Sequence, residues 1–226
     1  MKTLKKIWWR LLFASYALVY LPWFFFLESK ITMDYPNLHI INGPLDDMIP
    51  FCEVFIIPYF LWFAYIVASC VIMVLKADNQ EFIRFALSLI IGMSLCMVIC
   101  MVYPNGLTLR PDTLPDNAFG RLVAGLYSTD TPTNVFPSIH VYNSIAVHTA
   151  LSKCKALKNH KGLLTGSLIL CILICMSTVF LKQHSLYDVG GAFVLMGVMY
   201  YVLYILPERR AQRQAENEKH YASADE

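Results

Sequence analysis

Long apolar runs separated by short polar stretches are the feature that most limits what this chain can fold into. A helix needs about 20 apolar residues to cross the hydrocarbon core of a bilayer. Runs of that kind recur along the 226 residues, of which 57% are hydrophobic and only 15% are charged. A soluble domain of this size carries more charge, so we predict an all-α integral membrane protein with no nucleic-acid partner.

The apolar runs predict a six-helix bundle. The expected spans lie at roughly 8–27, 50–75, 84–103, 136–152, 163–181 and 186–206. The fourth is short and polar, so it either lies inside the bundle or does not span. Residues 1–207 are predicted to form one catalytic domain, followed by a charged cytosolic tail at 208–226.

The positions of the 18 Lys and Arg residues predict the orientation, because cytoplasmic ends collect these residues. Fourteen lie at the chain ends or in the even connections, and one, Lys182, lies at a boundary. The odd connections hold only three: Lys30, Arg110 and Arg121. Both termini are therefore predicted to be cytoplasmic, with the other connections outside the cell in a multi-pass protein of the cell membrane.

Two histidines and an aspartate lie at the ends of apolar runs that the predicted topology places on one side. On a helix beginning near His184, Asp188 lies one turn on and can fix the imidazole tautomer. His140 follows Pro137-Ser138 at the start of another run and could transfer a proton. Taken singly, each could equally be a solvated rim residue.

Two cations lie near these histidines. Arg110, in the turn-rich stretch 104–135, is suited to bidentate phosphate binding. Lys182, two residues before His184, could add a second cation or extend to the lipid headgroups. The same side of the membrane therefore offers both proton-transfer groups and phosphate-binding groups.

These residues resemble the signature of the type-2 phosphatidic acid phosphatase superfamily. The family pattern is Lys-x6-Arg-Pro, then Pro-Ser-x-His, then Ser-Arg-x5-His-x3-Asp. Here the second part stands as Pro137-Ser138-Ile139-His140, and the third runs from Ser177 through His184 to Asp188. The resemblance implies a phosphate-binding set of Arg110, Lys182, Ser138 and Ser177, and no bound metal or other cofactor.

Two positions depart from the family pattern. Tyr103 stands where the motif lysine would precede Arg110, and Thr178 replaces the arginine that follows Ser177. Loss of that arginine is similar to the inositol phosphorylceramide synthase-like branch of sphingolipid synthases. The chain therefore keeps the His-His-Asp core but has fewer cations.

The resemblance implies that His184 attacks phosphorus to form a phosphohistidine, Asp188 orients it, and His140 protonates the departing lipid oxygen. Water as acceptor makes the protein a lipid-phosphate phosphatase. A second headgroup alcohol makes it a phosphotransferase. A non-catalytic lipid-binding or transport protein is the remaining alternative. The absence of the motif Lys and Arg is the observation that supports it.

Overall fold

The computed structural model describes residues 2–224, with side chains from residue 7 to residue 217. It is all-α apart from two two-residue strands. The helices are α1 (Lys2–Leu11), α2 (Ala17–Lys30), α3 (Pro44–Asp47), α4 (Ile56–Lys76), α5 (Asn79–Val102), α6 (Ala118–Thr129), α7 (Ile139–Lys153), α8 (Lys161–Phe180), α9 (Leu186–Tyr200) and α10 (Leu206–Ala224). A 3-10 turn joins α1 to α2, and a π-helical turn joins α9 to α10.

Within the described residues, five helical stretches are long and apolar enough to cross a membrane. They are Ile7–Lys30, Glu53–Lys76, Asn79–Val102, Lys161–Phe180 and Leu186–Asn217. They correspond to five of the six predicted spans. The predicted tail begins within α10, which continues from the last span as helix to residue 224, and residues 225–226 lie outside the described part. The division into a catalytic domain and a cytosolic tail stays a prediction.

The remaining predicted span is α7, which lies in the interior of the bundle. Its 15 residues extend about 22 Å at 1.5 Å per residue, less than a hydrocarbon core. It packs against α4, α5, α8 and α9, which shield the polar Asn143 and Ser144. Whether α7 crosses the bilayer stays a prediction, but its interior position explains why it can be short and polar.

Both described ends of the chain lie at one end of the bundle. Buried Arg10 donates to the carbonyls of Val74 at 2.6 Å and Ala77 at 3.0 Å, at the end of α4. Arg84, near the start of α5, pairs with Glu208 at 3.2 Å. The opposite end, where α4, α7 and α9 begin, is called the histidine end because it holds His140 and His184. Which side of a membrane each end faces stays a prediction.

The connections at the histidine end are structured. Strands β1 (His39–Ile40) and β2 (Asn105–Gly106) pair in parallel. They join the first long connection, between α2 and α4, to the connection between α5 and α7. The stretch 104–135 was predicted to be a turn-rich loop, but it contains α6, whose first turn is capped by Asn117. Buried Val123 and Leu126 of α6 pack with Ile56 and Tyr59 of α4. The connection between α5 and α7 therefore covers the bundle end with a helix.

Gly92 allows α5 to pass close to α7. A Cβ at this position would overlap the ring of Tyr142, whose hydroxyl donates to the Ser88 carbonyl at 2.8 Å. Gly92→Ala is expected to destabilise the fold by about 1–3 kcal/mol because the buried ring must shift. Thermal unfolding in detergent measures this effect. Gly166→Ala on α8 is the matched control, because no atom lies within 4 Å of its added Cβ, and it should unfold no earlier than the parent. Equal unfolding temperatures for the two variants would contradict the close packing.

Candidate active site

The turn after α8 positions His184. Lys182 adopts a left-handed conformation with φ 53°, and its N–H donates to the Val179 carbonyl at 3.1 Å. The N–H groups of Gln183 and His184 both donate to the Thr178 carbonyl at 3.0 Å. This is a Schellman-type helix end with a lysine at the position that usually holds glycine. The main chain of Gln183 and His184 is thereby held by α8.

Asp188 is held at the start of α9 by a reciprocal cap. Its Oδ2 accepts from the Ser185 N–H at 2.8 Å, and its own N–H donates to the Ser185 Oγ at 3.2 Å. Such a capping box satisfies two main-chain donors that the helix leaves free. Asp188 is fully buried, so its carboxylate is fixed one helical turn from His184.

The His184 ring lies between Asp188 and His140. Its Nδ1 is 3.4 Å from Asp188 Oδ2, an ion-pair distance without hydrogen-bond geometry. Its Nε2 is 3.4 Å from His140 Nδ1. Only 6% of His184 is exposed. A buried imidazole with a carboxylate at one nitrogen and a second imidazole at the other can act as an oriented nucleophile or base.

His140 is held by both the main chain and aromatic rings. The Ser138 hydroxyl caps α7 by accepting from the Val141 N–H at 3.4 Å, and the Ser138 N–H donates to the Asp188 carbonyl at 3.1 Å. The Tyr59 and Trp62 rings lie with centroids 4.7 and 4.6 Å from that of His140. The segment that contains Ser138 and His140 is therefore hydrogen-bonded directly to the segment that contains Asp188. The aromatic rings of α4 enclose His140.

The Arg110 guanidinium lies at the end of α6. Its Nη1 donates to the Tyr127 carbonyl at 3.2 Å, and its Nη2 donates to the Asp130 carbonyl at 2.6 Å and to Gln183 Oε1 at 2.6 Å. The Tyr127 ring lies under it at 4.2 Å. Burial lowers the pKa of Arg110, but a guanidinium stays protonated. Three of its five N–H groups are thus engaged.

Asp130 adds a carboxylate that the sequence analysis did not single out. Its Oδ2 accepts from the Tyr59 hydroxyl at 3.0 Å. Burial raises the pKa of Asp130, while the Tyr59 hydrogen bond and the charges of His184 and Arg110 act in the opposite direction. No spacing or motif marks this aspartate, because the residues that meet it come from α4 and from the connection before α6.

The other predicted phosphate-binding residues have partners of their own. The Lys182 ammonium donates to the carbonyls of Asp46 at 2.7 Å and Ile49 at 2.6 Å, and burial lowers its pKa. The Ser177 hydroxyl donates to the Ile174 carbonyl at 2.7 Å, and the Ser138 hydroxyl caps α7. His140, His184, Asp188 and Arg110 therefore converge at one end, whereas Lys182 and Ser177 bind elsewhere in the chain.

Several buried polar atoms at the histidine end have no hydrogen-bond partner. They are Trp62 Nε1, Arg110 Nε, Gln183 Nε2, His184 Nδ1 and Asp188 Oδ1. Leaving a buried polar group unpaired costs about 1–3 kcal/mol, so a ligand that hydrogen-bonds to these atoms would be stabilised here. Among the described residues, no group of three or more His, Cys, Asp or Glu side chains is arranged to hold a metal ion.

A bundle of apolar helices with a buried His-His-Asp cluster at one end defines a helical membrane protein with a candidate site for phosphoryl chemistry. A family profile described as the PAP2 superfamily matches residues 81–212, more than half of the chain. The chain belongs to this superfamily, whose members are generally phosphatases or phosphotransferases acting on phosphate-bearing substrates. The match gives no support to the inositol phosphorylceramide synthase-like branch. Searches of curated proteins and of solved structures returned no match.

Proposed function

We propose that this protein is a membrane lipid-phosphate phosphatase that works through a phosphohistidine intermediate. The observation that carries the proposal is the His184 ring, which has Asp188 at Nδ1 and His140 at Nε2, each 3.4 Å away. The superfamily match supports a phosphate-bearing substrate. The apolar helices around the site favour a substrate that is itself in the bilayer.

The proposed first step transfers the phosphoryl group to His184. The Nε2 lone pair forms the N–P bond while the bond from phosphorus to the lipid oxygen breaks, and His140 gives its proton to that oxygen. Asp188 stabilises the charge that develops on the imidazole. In the second step His140 takes a proton from water, the water oxygen bonds to phosphorus, and the N–P electrons return to His184.

The short distance between the two histidines requires a movement. A phosphoryl group lies between nucleophile and proton donor during in-line transfer, and 3.4 Å between His184 Nε2 and His140 Nδ1 leaves no room for it. The His140 ring lies against aromatic rings, and its one hydrogen-bond contact with a described side chain is that with His184. We infer that its ring moves away from His184 when substrate binds.

Arg110 is the leading phosphate ligand in this proposal because two of its N–H groups are not engaged. Lys182, Ser138 and Ser177 remain in the proposed phosphate-binding set. The Ser177 hydroxyl would have to exchange its donated hydrogen bond for a phosphate oxygen, whereas the Ser138 hydroxyl accepts in its cap and two of the three Lys182 N–H groups are engaged. Fixed donors around the transferring group are the main way in which such a site accelerates the reaction.

The test is release of inorganic phosphate by the purified protein from a panel of lipid phosphate monoesters in mixed micelles. We expect turnover with at least one lipid, and none after exchange of Asp188 for Ala. If no lipid releases phosphate, the panel is tested again with alcohol acceptors and the lipid products are analysed. Formation of a new phospholipid would then show transfer instead of hydrolysis. Absence of both reactions would leave lipid binding or transport as the function.

Transfer to a second alcohol is the alternative that one observation favours. Two cation positions of the family pattern are occupied by Tyr103 and Thr178, and the nucleophile is only 6% exposed. Limited water access helps a phosphoenzyme survive until an alcohol arrives. Comparing phosphate release with formation of a new phospholipid, in the same reaction, separates the two outcomes.

The proposal places the histidine end outside the cell. In a cysteine-free background, single cysteines replacing exposed Asp112 and Ser128 should react with an impermeant thiol reagent in intact cells. A cysteine replacing Lys158, at the other end of the bundle, should react only after permeabilisation. Labelling of position 158 but not 128 in sealed cells would reverse the orientation and place the site on the cytoplasmic side.

A further inference from the structure

Arg110 fixes which way the Gln183 amide points. Its Nη2 lies 2.6 Å from Gln183 Oε1. A guanidinium has only N–H donors, so the amide atom facing it must be the carbonyl oxygen. The amide nitrogen, Nε2, is therefore directed away from Arg110. This orientation follows from chemistry, although oxygen and nitrogen of an amide differ little in shape.

The Gln183 amide nitrogen has no hydrogen-bond partner among the residues that the structure describes. Gln183 is only 3% exposed, and Nε2 is buried without a hydrogen bond. Arg110 Nε has the same property. Gln183 directly precedes His184, and the Thr178 carbonyl holds the main chain of both. One unsatisfied N–H donor thus belongs to the residue that precedes the proposed nucleophile in the chain, and the other belongs to the arginine that is hydrogen-bonded to that residue.

Other donors near His184 are engaged elsewhere. The Thr178 hydroxyl, at the position of the motif arginine, donates to the Cys175 carbonyl at 2.8 Å. The Lys182 ammonium is held by two carbonyls of the first long connection. The Thr178 hydroxyl would have to break this bond to reach a phosphoryl oxygen, and two of the three Lys182 N–H groups are engaged. In the Arg110–Gln183 pair, each side chain has a buried N–H donor without a described partner.

We propose that Gln183 is a substrate-binding residue whose Nε2 donates a hydrogen bond to a phosphoryl oxygen, while Arg110 supplies the charge and fixes the amide. This assignment rests on the proposed phosphoryl-transfer function. In this proposal the pair supplies the phosphate contacts of the motif arginine, whose position is occupied by Thr178. A neutral amide contributes a directed donor instead of a second charge, so its effect depends on the amide nitrogen.

Exchange of Gln183 for Glu isolates that nitrogen. The carboxylate keeps an oxygen for Arg110 and nearly the same shape, but it replaces the donor by a negative oxygen. We expect Gln183→Glu to lower kcat/KM by on the order of 10²-fold, as loss of one charge-stabilising donor does, and to weaken inhibition by orthovanadate by about tenfold or more. The thermal unfolding temperature should not fall, because the Arg110 contact is kept.

Two further variants complete the comparison. Gln183→Leu removes both the donor and the Arg110 contact, so it should lose activity and also unfold earlier. Gln80→Glu makes the same chemical change at an exposed position of α5, and it should behave like the parent protein. If Gln183→Glu keeps activity and vanadate inhibition within threefold of the parent, Gln183 only supports Arg110 and the inference is wrong.

Vanadate binding, measured by calorimetry, separates this inference from the proposed function. A parent protein that binds vanadate without turning over lipid phosphates, with weaker binding by Gln183→Glu, would overturn the catalytic function and uphold the phosphate-binding role. Normal turnover by both the parent and Gln183→Glu would uphold the proposed phosphatase function and overturn the phosphate-binding role of Gln183. A parent that neither reacts nor binds vanadate would overturn both.

Discussion

His184→Ala is expected to lower turnover by on the order of 10⁴-fold or more, because loss of a nucleophile removes the covalent route altogether. Rapid denaturation after mixing with phosphorus-labelled lipid should trap a label on the parent protein that is labile in acid and stable in base, as expected of a phosphoramidate. His184→Ala should carry no such label. Mapping the label by mass spectrometry to the peptide that contains His184 completes the measurement.

Two other variants separate the roles of the neighbouring groups. Asp188→Asn should slow formation of the label, because a neutral amide orients the imidazole less well and does not stabilise the positive charge that develops on it. His140→Ala should slow both formation and release, since one group serves both proton transfers. His148 offers a matched control: it lies on the same helix as His140, but its ring contacts Ser167 at 3.0 Å within the bundle. Substantial turnover by His184→Ala, or a label on another residue, would overturn the mechanism.

The parts of the site that the sequence predicts are those encoded by local spacing. Asp188 lies one turn after His184, so a helix start at residue 186 places the two together whatever surrounds them. His140 follows a Pro-Ser pair at the start of α7, and alternation of helix direction brings it to the same end as His184. The apolar runs likewise predict five of the spans, because length and composition are sufficient for a lipid-facing helix.

The parts that the sequence does not predict depend on contacts between distant segments. The α6 helix lies in a stretch rich in turn formers, and it is stabilised by packing on α4 instead of by a strong local pattern. The sequence predicts that Lys182 is a cation available for phosphate or lipid headgroups. In the structure its ammonium donates to carbonyls of residues 46 and 49, more than 130 positions away in the chain. The role of Gln183 is visible only when Arg110 is seen beside it.

Arg10 shows the same limit at the opposite end. The sequence counts it among the cytoplasmic charges, yet it is buried and its guanidinium binds the carbonyls that end α4. A charge count cannot distinguish a solvated arginine from one that caps a neighbouring helix. Arg10 is one of the fourteen inner charges, and Arg110, which also binds main-chain carbonyls, is one of the three outer ones. Without these two the count is thirteen against two, and the predicted direction is the same.

Arg110→Ala is expected to lower kcat/KM by about 10²-fold or more, because the proposed site loses a guanidinium that has two N–H groups left for a phosphate. The same change frees the carbonyls of Tyr127 and Asp130 and the amide of Gln183. Activity must therefore be expressed per folded protein, from unfolding curves measured in parallel. Arg110→Lys should recover only part of the loss, since an ammonium supplies charge without the planar fork that reaches three oxygens.

Arg121 provides the matched control for this prediction. It lies in the same connection, on α6, and its only described ion pair is an exposed contact with Asp116 at 3.4 Å. Exposed pairs contribute about 0–1 kcal/mol, so Arg121→Ala should leave both turnover and unfolding near the parent values. Near-normal activity of Arg110→Ala would mean that another cation holds the phosphate. Lys182 would then have to release its two carbonyls on substrate binding, and Lys182→Met should abolish the remaining activity.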